Sequence, residues 1–355
     1  MFSGKELTGI DIGTNSIKVV KAVKKNLSVQ LKSRFLKKIP YQTIVEGRSF
    51  NDSIVSRHLE EIFNSIGKPG IIITTIPSNN LIIRNMQFPL MTDKELKEAV
   101  KWEVGDYLPF SVEDAVLEYI ILDKDNESID LLLVMVKKQV VEDYISPITS
   151  LGLKPAVVNI QPMAILSLLQ YQGKLDKTAV VVDIGASGTR IIIGDHKNIY
   201  HSRTVDSGGE EFTKIFMEEK DYSFNEAEEF KIHNGIKEKG STDTGVDLAY
   251  DQIAAAGLGI NDLLISSACN IVNEISRSLD YYVMKYKYPI ENVFITGGGS
   301  KLSRLKDMIT KELDIELTNI NPFEGFGLDK VVDVNAEKYA VAVGLILSEV
   351  LENEN

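Results

Sequence analysis

The sequence predicts an α/β fold built from two related halves, and three observations predict it. First, Gly9-Ile10-Asp11-Ile12-Gly13-Thr14-Asn15-Ser16-Ile17-Lys18-Val19-Val20 returns in altered form as Val181-Val182-Asp183-Ile184-Gly185-Ala186-Ser187-Gly188-Thr189-Arg190-Ile191-Ile192. In each copy an apolar run ends in an acid, a small polar turn follows and a second apolar run departs, which is the pattern of a β-hairpin. Second, Val293-Phe294-Ile295-Thr296 leads through Gly297-Gly298-Gly299-Ser300 to an apolar stripe of Leu302, Leu305, Ile309 and Leu313, predicting strand, glycine turn and a helix over 301–313. Third, 355 residues with 44% apolar content are enough for two cores.

Strands at 7–12, 17–24 and 28–33 read as an antiparallel meander, a helix at 54–66 leads to an apolar strand at 70–75, and Pro77-Ser78-Asn79-Asn80 marks a turn. From 81 to 154 lies an insertion: strand 81–87, a helix opened by the capping box Thr92-x-x-Glu95, strand 116–122, a polar turn at 123–128, strand 129–136 and helix 139–151. Helices are expected at 162–171 and 263–286, with 243–263 returning the chain to the second of them. A last helix at 337–351 carries Ala340, Val343, Gly344 and Leu347 on one side.

The two turns suit phosphate. Gly13, Gly185 and Gly188 permit positive φ and let backbone N–H groups approach phosphate oxygens with no Cβ in the way. Thr14, Asn15, Ser16, Ser187 and Thr189 can add side-chain donors. Asp11 and Asp183 would repel a polyphosphate unless a cation lay between, which suggests Mg2+ held through water, since that ion keeps several of its waters. Lys18 could reach back over its turn to a β- or γ-phosphate. One Asp-x-Gly alone is also an ordinary hairpin turn. Two copies in equivalent halves could face each other across a cleft and close on a phosphate chain. The Gly297–Ser300 turn would let a base or ribose lie on the backbone, and it is neither a Walker A loop nor a dinucleotide fingerprint.

Two phosphate hairpins followed by a distal Gly-Gly-Gly turn resemble the actin, hexokinase and heat-shock-chaperone ATPase superfamily. Within it, Phe88-Pro89-Leu90-Met91-Thr92-Asp93-Lys94-Glu95-Leu96-Lys97-Glu98-Ala99-Val100-Lys101-Trp102-Glu103 and Tyr107-Leu108-Pro109-Phe110 resemble the PilM family of type IV pilus assembly. The resemblance implies an actin-like (ribonuclease H-like) duplicated fold of two lobes around a nucleotide cleft. Its four subdomains would be 1A (1–80 and 155–175), 1C (81–154), 2A (176–206 and 265–355) and 2B (207–264). It implies ATP and Mg2+ as cofactors, with Asp11 and Asp183 as the metal residues, and Gly297, Gly298, Gly299 and Ser300 on the adenosine. Gln161 stands where the superfamily places a Gln or Glu that orients the attacking water; it could equally be a helix-start residue bonded to backbone. Val205-Asp206-Ser207-Gly208-Gly209-Glu210-Glu211-Phe212-Thr213 resembles the entry to the fourth subdomain, with Gly208 and Gly209 at the nucleotide, Glu211 and Lys214 near the ribose and Lys231 near the adenine. Glu226, Glu228 and Glu229 fit a solvated acidic helix as well.

The insertion at 81–154 is placed as in PilM and in the cell-division protein FtsA, which excludes actin and the chaperones as nearest relatives. FtsA closes with a basic amphipathic membrane-binding helix, whereas Glu349-Val350-Leu351-Glu352-Asn353-Glu354-Asn355 is acidic. The implied function is therefore a cytoplasmic ATP-binding scaffold of pilus assembly with at most slow ATPase activity. Its implied partner is the N-terminal cytoplasmic peptide of a PilN-like bitopic inner-membrane protein, held between the insertion and the first subdomain by strand-like pairing; membrane contact would come only through that partner. Trp102 would either face this groove or pack the insertion's own core. The alternatives are an FtsA-like adaptor that self-associates into filaments and a sugar or acetate kinase, for which no second polar pocket with a catalytic Asp stands out.

Charge and cysteine usage bound the rest. The first 40 residues hold nine Lys or Arg against two acids, yet the chain carries a net charge of −12, which argues against nucleic acid as the main ligand. The basic stretch could face anionic lipid or an acidic partner, or be the solvated face of strands. No secretory signal is visible, and apolar runs such as 131–136 fall far short of the roughly 18 residues a membrane span needs. Cys269, the single cysteine, excludes an internal disulfide and reads as a small buried hydrophobe. His58, His196, His201 and His233 have no metal-ligand spacing.

Overall fold

In the computed structural model, which describes residues 4–25, 28–45, 48–49, 52–238, 259–287, 289–326 and 335–352, the first repeat forms a hairpin. Lys5–Ile12 (β1) and Ser16–Lys25 (β2) pair antiparallel with Asp11 opposite Lys18, and Ser28–Lys38 (β3) continues the meander, five residues beyond the expected end at 33. After the short ladder Ile44–Val45 (β4) with Arg48–Ser49 (β5), helix Asp52–Ile66 (α1) leads to Ile71–Ile76 (β6), which runs parallel to β1.

The insertion comprises Leu81–Pro89 (β7), Asp93–Glu103 (α2), Ala115–Lys124 (β8), Ser128–Lys137 (β9) and Lys138–Thr149 (α3). Its sheet has the order β7-β9-β8 and its own core of Phe88, Leu96, Val100, Val104, Ile129, Leu131, Leu133 and Met135. The capping box is present: Thr92 N–H donates to Glu95 Oε2 at 2.9 Å and Glu95 N–H to Thr92 Oγ1 at 3.4 Å. Those backbone and hydroxyl bonds hold the Glu95 carboxyl below its ordinary range. Trp102 is not a core residue. It is 85% exposed, because the buried face of α2 is supplied by Leu96 and Val100 instead.

Val157–Ile160 (β10) pairs parallel with β6 and completes the sheet β10-β6-β1-β2-β3. On one face, Ile10, Ile12, Ile17 and Val19 pack under Val55, Leu59 and Ile62 of α1 and Tyr144 and Ile148 of α3. Helix Gln161–Tyr171 (α4) opens with Gln161 itself, one residue before the expected start. Further along lie Ala179–Ile184 (β11), Thr189–Gly194 (β12), Ile199–Val205 (β13), Gly209–Lys220 (α5), Phe224–Asn234 (α6) and Ile260–Tyr286 (α7). Then come Asn292–Thr296 (β14), Leu305–Leu313 (α8), Leu317–Asn319 (β15) and Ala340–Glu352 (α9). The second five-stranded sheet has the order β13-β12-β11-β14-β15, with β11, β14 and β15 parallel.

The chain divides into two units, one of Met1–Thr178, Ile192–Ser202 and Asn321–Asn355, the other of Ala179–Ile191 and Arg203–Ile320. The described residues from 321 on, assigned to subdomain 2A from the sequence, group with the first unit. The reason lies in α9, which is buried on every side from Ala340 to Ser348 and not on the single face expected for it. An all-apolar helix needs cover all round, and α9 finds it against α4, β1, β2 and β6. The helix expected to begin at 301 starts later. Gly298–Lys301 is a 3-10 turn and Arg304 takes φ +69°, which breaks the run so that α8 starts at Leu305. Cys269 on α7 is half-buried, not fully enclosed. Of the expected return segment 243–263, residues 243–258 lie outside the described residues. Among the described residues no helix is long and apolar enough to cross a membrane.

Candidate functional site

In the first unit the β1–β2 turn is closed by Gly13 N–H donating to Ser16 O at 3.1 Å, with Thr14 and Asn15 half-buried at its tip. Lys18 crosses back over the turn: its Nζ lies 2.8 Å from Asp11 Oδ2 and donates to Ser16 O at 3.2 Å. Gly13 makes room for this, since a Cβ there would stand 2.8 Å from Lys18 Nζ. Asp11 is 4% exposed, and its other oxygen, Oδ1, is buried without a hydrogen-bond partner among the described residues.

The same edge collects two more polar groups. β1, β6 and β10 are parallel, with Ile10 opposite Thr74 and Ile160 opposite Ile76, so their carboxyl ends lie side by side. Open α/β sheets take ligands outside the carboxyl ends of their strands. There Ser78, just past β6, meets Gln161 at the head of α4. Ser78 N–H and Oγ donate to Gln161 Oε1 at 3.2 and 3.1 Å, and Gln161 is 5% exposed.

In the second unit the repeat builds a matching turn. Gly185 N–H donates to Gly188 O at 2.8 Å, and Arg190, seven residues after Asp183 as Lys18 is after Asp11, donates from Nε to Asp183 Oδ2 at 3.0 Å and also from its terminal nitrogen. Asp183 is 3% exposed. The head of α5 docks on this turn, Gly209 N–H donating to Gly185 O at 2.9 Å and Glu210 N–H to Ala186 O at 2.8 Å. Gly208 is required there because a Cβ would lie 2.6 Å from both Ala186 O and Gly188 N. The glycine turn after β14 closes on the same place: Gly297 has φ +84°, and a Cβ on Gly299 would lie 3.1 Å from Gly185 O. Ser300 donates from both N–H and Oγ to Gly297 O, at 3.2 and 2.6 Å.

Several expected ligand contacts are already engaged by the fold. Thr189 Oγ1 donates to Ser207 O at 2.7 Å, and Ser207 Oγ donates to Glu211. Lys231 is buried, its ammonium bonded to Gly209 O at 2.9 Å, Thr213 Oγ1 at 2.9 Å and Glu228 Oε2 at 2.6 Å, so two of its donors pin the start of α5 and the third pairs with Glu228 on its own helix, α6. Glu228 is accordingly an ion-pair partner and not a solvated acid. Lys214 and Ser187 are exposed. Burial raises the Glu210 carboxyl above its ordinary range, with Lys214 and Lys231 pulling it back.

The structure therefore gathers Asp183, Gly185, Ala186, Gly208, Gly209, Lys231, Gly297 and Gly299 around one turn of the second unit, and Asp11, Gly13, Ser16, Lys18 and Gln161 at one sheet edge of the first. Arg190 and Ser78 were not singled out from sequence, though the spacing from Asp183 to Arg190 repeats that from Asp11 to Lys18. Among the described residues no cluster of three or more His, Cys, Asp or Glu could hold a metal by itself. The donor set fits Mg2+ only as an ion that keeps its water, and the unpartnered Asp11 Oδ1 is an acceptor for such a water.

The profile of the family described as type IV pilus assembly protein PilM matches residues 9–244, and that of cell division protein FtsA matches 180–344. The solved PilM-PilN type IV pilus biogenesis complex contains a chain that superposes with a TM-score of 0.79 at 24% identity, covering 97% of this chain and 98% of that one. MreB5 of Spiroplasma citri bound to ADP gives 0.55 at 13% identity, covering 99% of each. FtsA of Neisseria meningitidis serogroup B is 23% identical over 206 residues, 55% of this chain and 48% of the relative, so the match spans about half that protein's length. The fold is actin-like.

Proposed function

Because the chain belongs to the PilM family of type IV pilus assembly proteins, we propose that it is a cytoplasmic, ATP-binding scaffold whose insertion, 81–154, receives the N-terminal peptide of a PilN-like inner-membrane protein. The observation that carries the nucleotide half is the duplicated turn. A buried acid sits beside a base seven residues on, at Asp11 and Lys18 and again at Asp183 and Arg190. Thr14, Asn15 and Ser16 on one turn, and Ala186 and Ser187 on the other, would offer donors to the phosphates, while the Gly13 and Gly185 N–H groups and the Thr189 hydroxyl close and brace the turns themselves. Gly208, Gly209, Glu211, Lys214 and the turn Gly297, Gly298, Gly299 and Ser300 would take the nucleoside, and Lys231 would fix the head of α5. Asp11 and Asp183 would hold Mg2+ through water, and the ion would supply charge neutralisation along the phosphate chain.

For the partner, the similar solved chain is in a complex with PilN, and the insertion exposes what a peptide needs. Leu90, Trp102 and Tyr107 are exposed apolar side chains on it, and both β7 and β8 are outer strands of their sheet. Outer strands present unpaired backbone groups to an added strand. A labelled N-terminal peptide from a PilN-like protein encoded nearby should bind the full chain in fluorescence anisotropy. Trp102→Ala should weaken it about tenfold or more, as loss of an aromatic anchor does. Absence of binding with and without Mg-ATP would move the second reading forward. That reading is an FtsA-like adaptor, favoured by the match over 180–344, and ATP-dependent pelleting of filaments would be its signature.

A further inference from the structure

We propose that Ser78 is a positioning residue that fixes Gln161 as a hydrogen-bond donor toward the ligand of this sheet edge, so that the chain holds a bound nucleotide without turning it over. The inference rests on the nucleotide reading above and goes beyond it. A backbone N–H can only donate, so the Gln161 atom that Ser78 N–H meets at 3.2 Å is the carbonyl oxygen. That donor fixes which way the amide is turned. Ser78 Oγ adds a second donor at 3.1 Å, and two donors fill the two lone pairs of Oε1. Turning the amide over would set Nε2 against Ser78 N–H, donor against donor.

What remains is Nε2, two N–H donors on a buried side chain with no hydrogen bond among the described residues. The natural match for such a donor, at the carboxyl ends of β1, β6 and β10, is an anionic oxygen. It cannot serve the other role. In hydrolysis the water oxygen bonds to the terminal phosphorus while the bond from that phosphorus to the bridging oxygen breaks. ADP leaves with that electron pair, and the proton lost by water passes to solvent or the phosphate. Aligning the water calls for an acceptor that takes a hydrogen bond from it. With Oε1 saturated by Ser78, Gln161 has no acceptor to give.

The test is single-turnover release of labelled phosphate from the full chain loaded with Mg-ATP, with ATP affinity and thermal melts recorded in parallel. Ser78→Ala frees one lone pair of Oε1 and should raise turnover about tenfold or more with affinity little changed; Ser78→Thr keeps the hydroxyl and should behave as wild type. Gln161→Glu replaces the donor by an acceptor of the same shape, and should raise turnover while weakening ATP binding. If Ser78→Ala and Gln161→Glu both bind ATP yet keep wild-type turnover, the positioning role is overturned. Should Ser78→Ala fail to fold, the Gln161→Glu turnover decides alone. If the wild type binds no ATP, the nucleotide reading fails, and this proposal with it.

Discussion

Gly344→Val is expected to unfold the first unit or lower its stability by more than about 4 kcal/mol, the range reserved for gross core disruption. Gly344 faces Ala164 across the α4–α9 contact, and a Cβ on it would collide with the backbone carbonyl of Ala164. Backbone cannot be displaced as a side-chain tip can, so the helices would have to part. Helix propensity points the other way: Ala is about 1 kcal/mol better than Gly in a helix interior. Packing wins here, so even Gly344→Ala should destabilise. Gly105→Ala, whose Cβ would meet only Val112 Cγ2 at 3.8 Å, should hardly change the melt. Chemical denaturation of the three variants checks the order, and a Gly344→Ala more stable than wild type would refute the close approach.

Asp11→Asn should cost at least about a hundredfold in Mg-ATP affinity, because charge-assisted contacts are the strong ones and this carboxylate is offered both to Lys18 and to the ion's water. It should also destabilise the protein by about 3 kcal/mol, since removing one member of a buried pair leaves Lys18 charged and unmatched. Calorimetry below the variant's melting transition separates the two effects. Retention of Mg-dependent affinity would remove Asp11 from the site.

Much of this was legible in sequence. Alternating apolar residues around Asp-x-Gly defined both hairpins, and the Thr92 and Glu95 pair marked the start of α2. The apolar run of α9 was visible as a helix; that it is enclosed on all sides follows from tertiary cover by α4 and β1. Other features had no local signal. Ser78 and Gln161 are 83 residues apart and meet only because β6 and β10 run parallel. Arg304 at positive φ has no composition cue, so the late start of α8 could not be read. Trp102 has the size of a core residue, and only the packing of Leu96 and Val100 shows that the core is filled without it. Lys231 was assigned a place near the adenine by family resemblance alone, whereas its two bonds into α5 depend on the fold.

Whether this actin-like chain binds nucleotide is decided by isothermal titration of the full chain with ATP. Saturable binding of one ATP per chain is expected, strengthened by Mg2+ and weakened by Asp11→Asn. No heat and no affinity for ATP or ADP, with or without Mg2+, from protein that melts cooperatively, would rule out nucleotide binding.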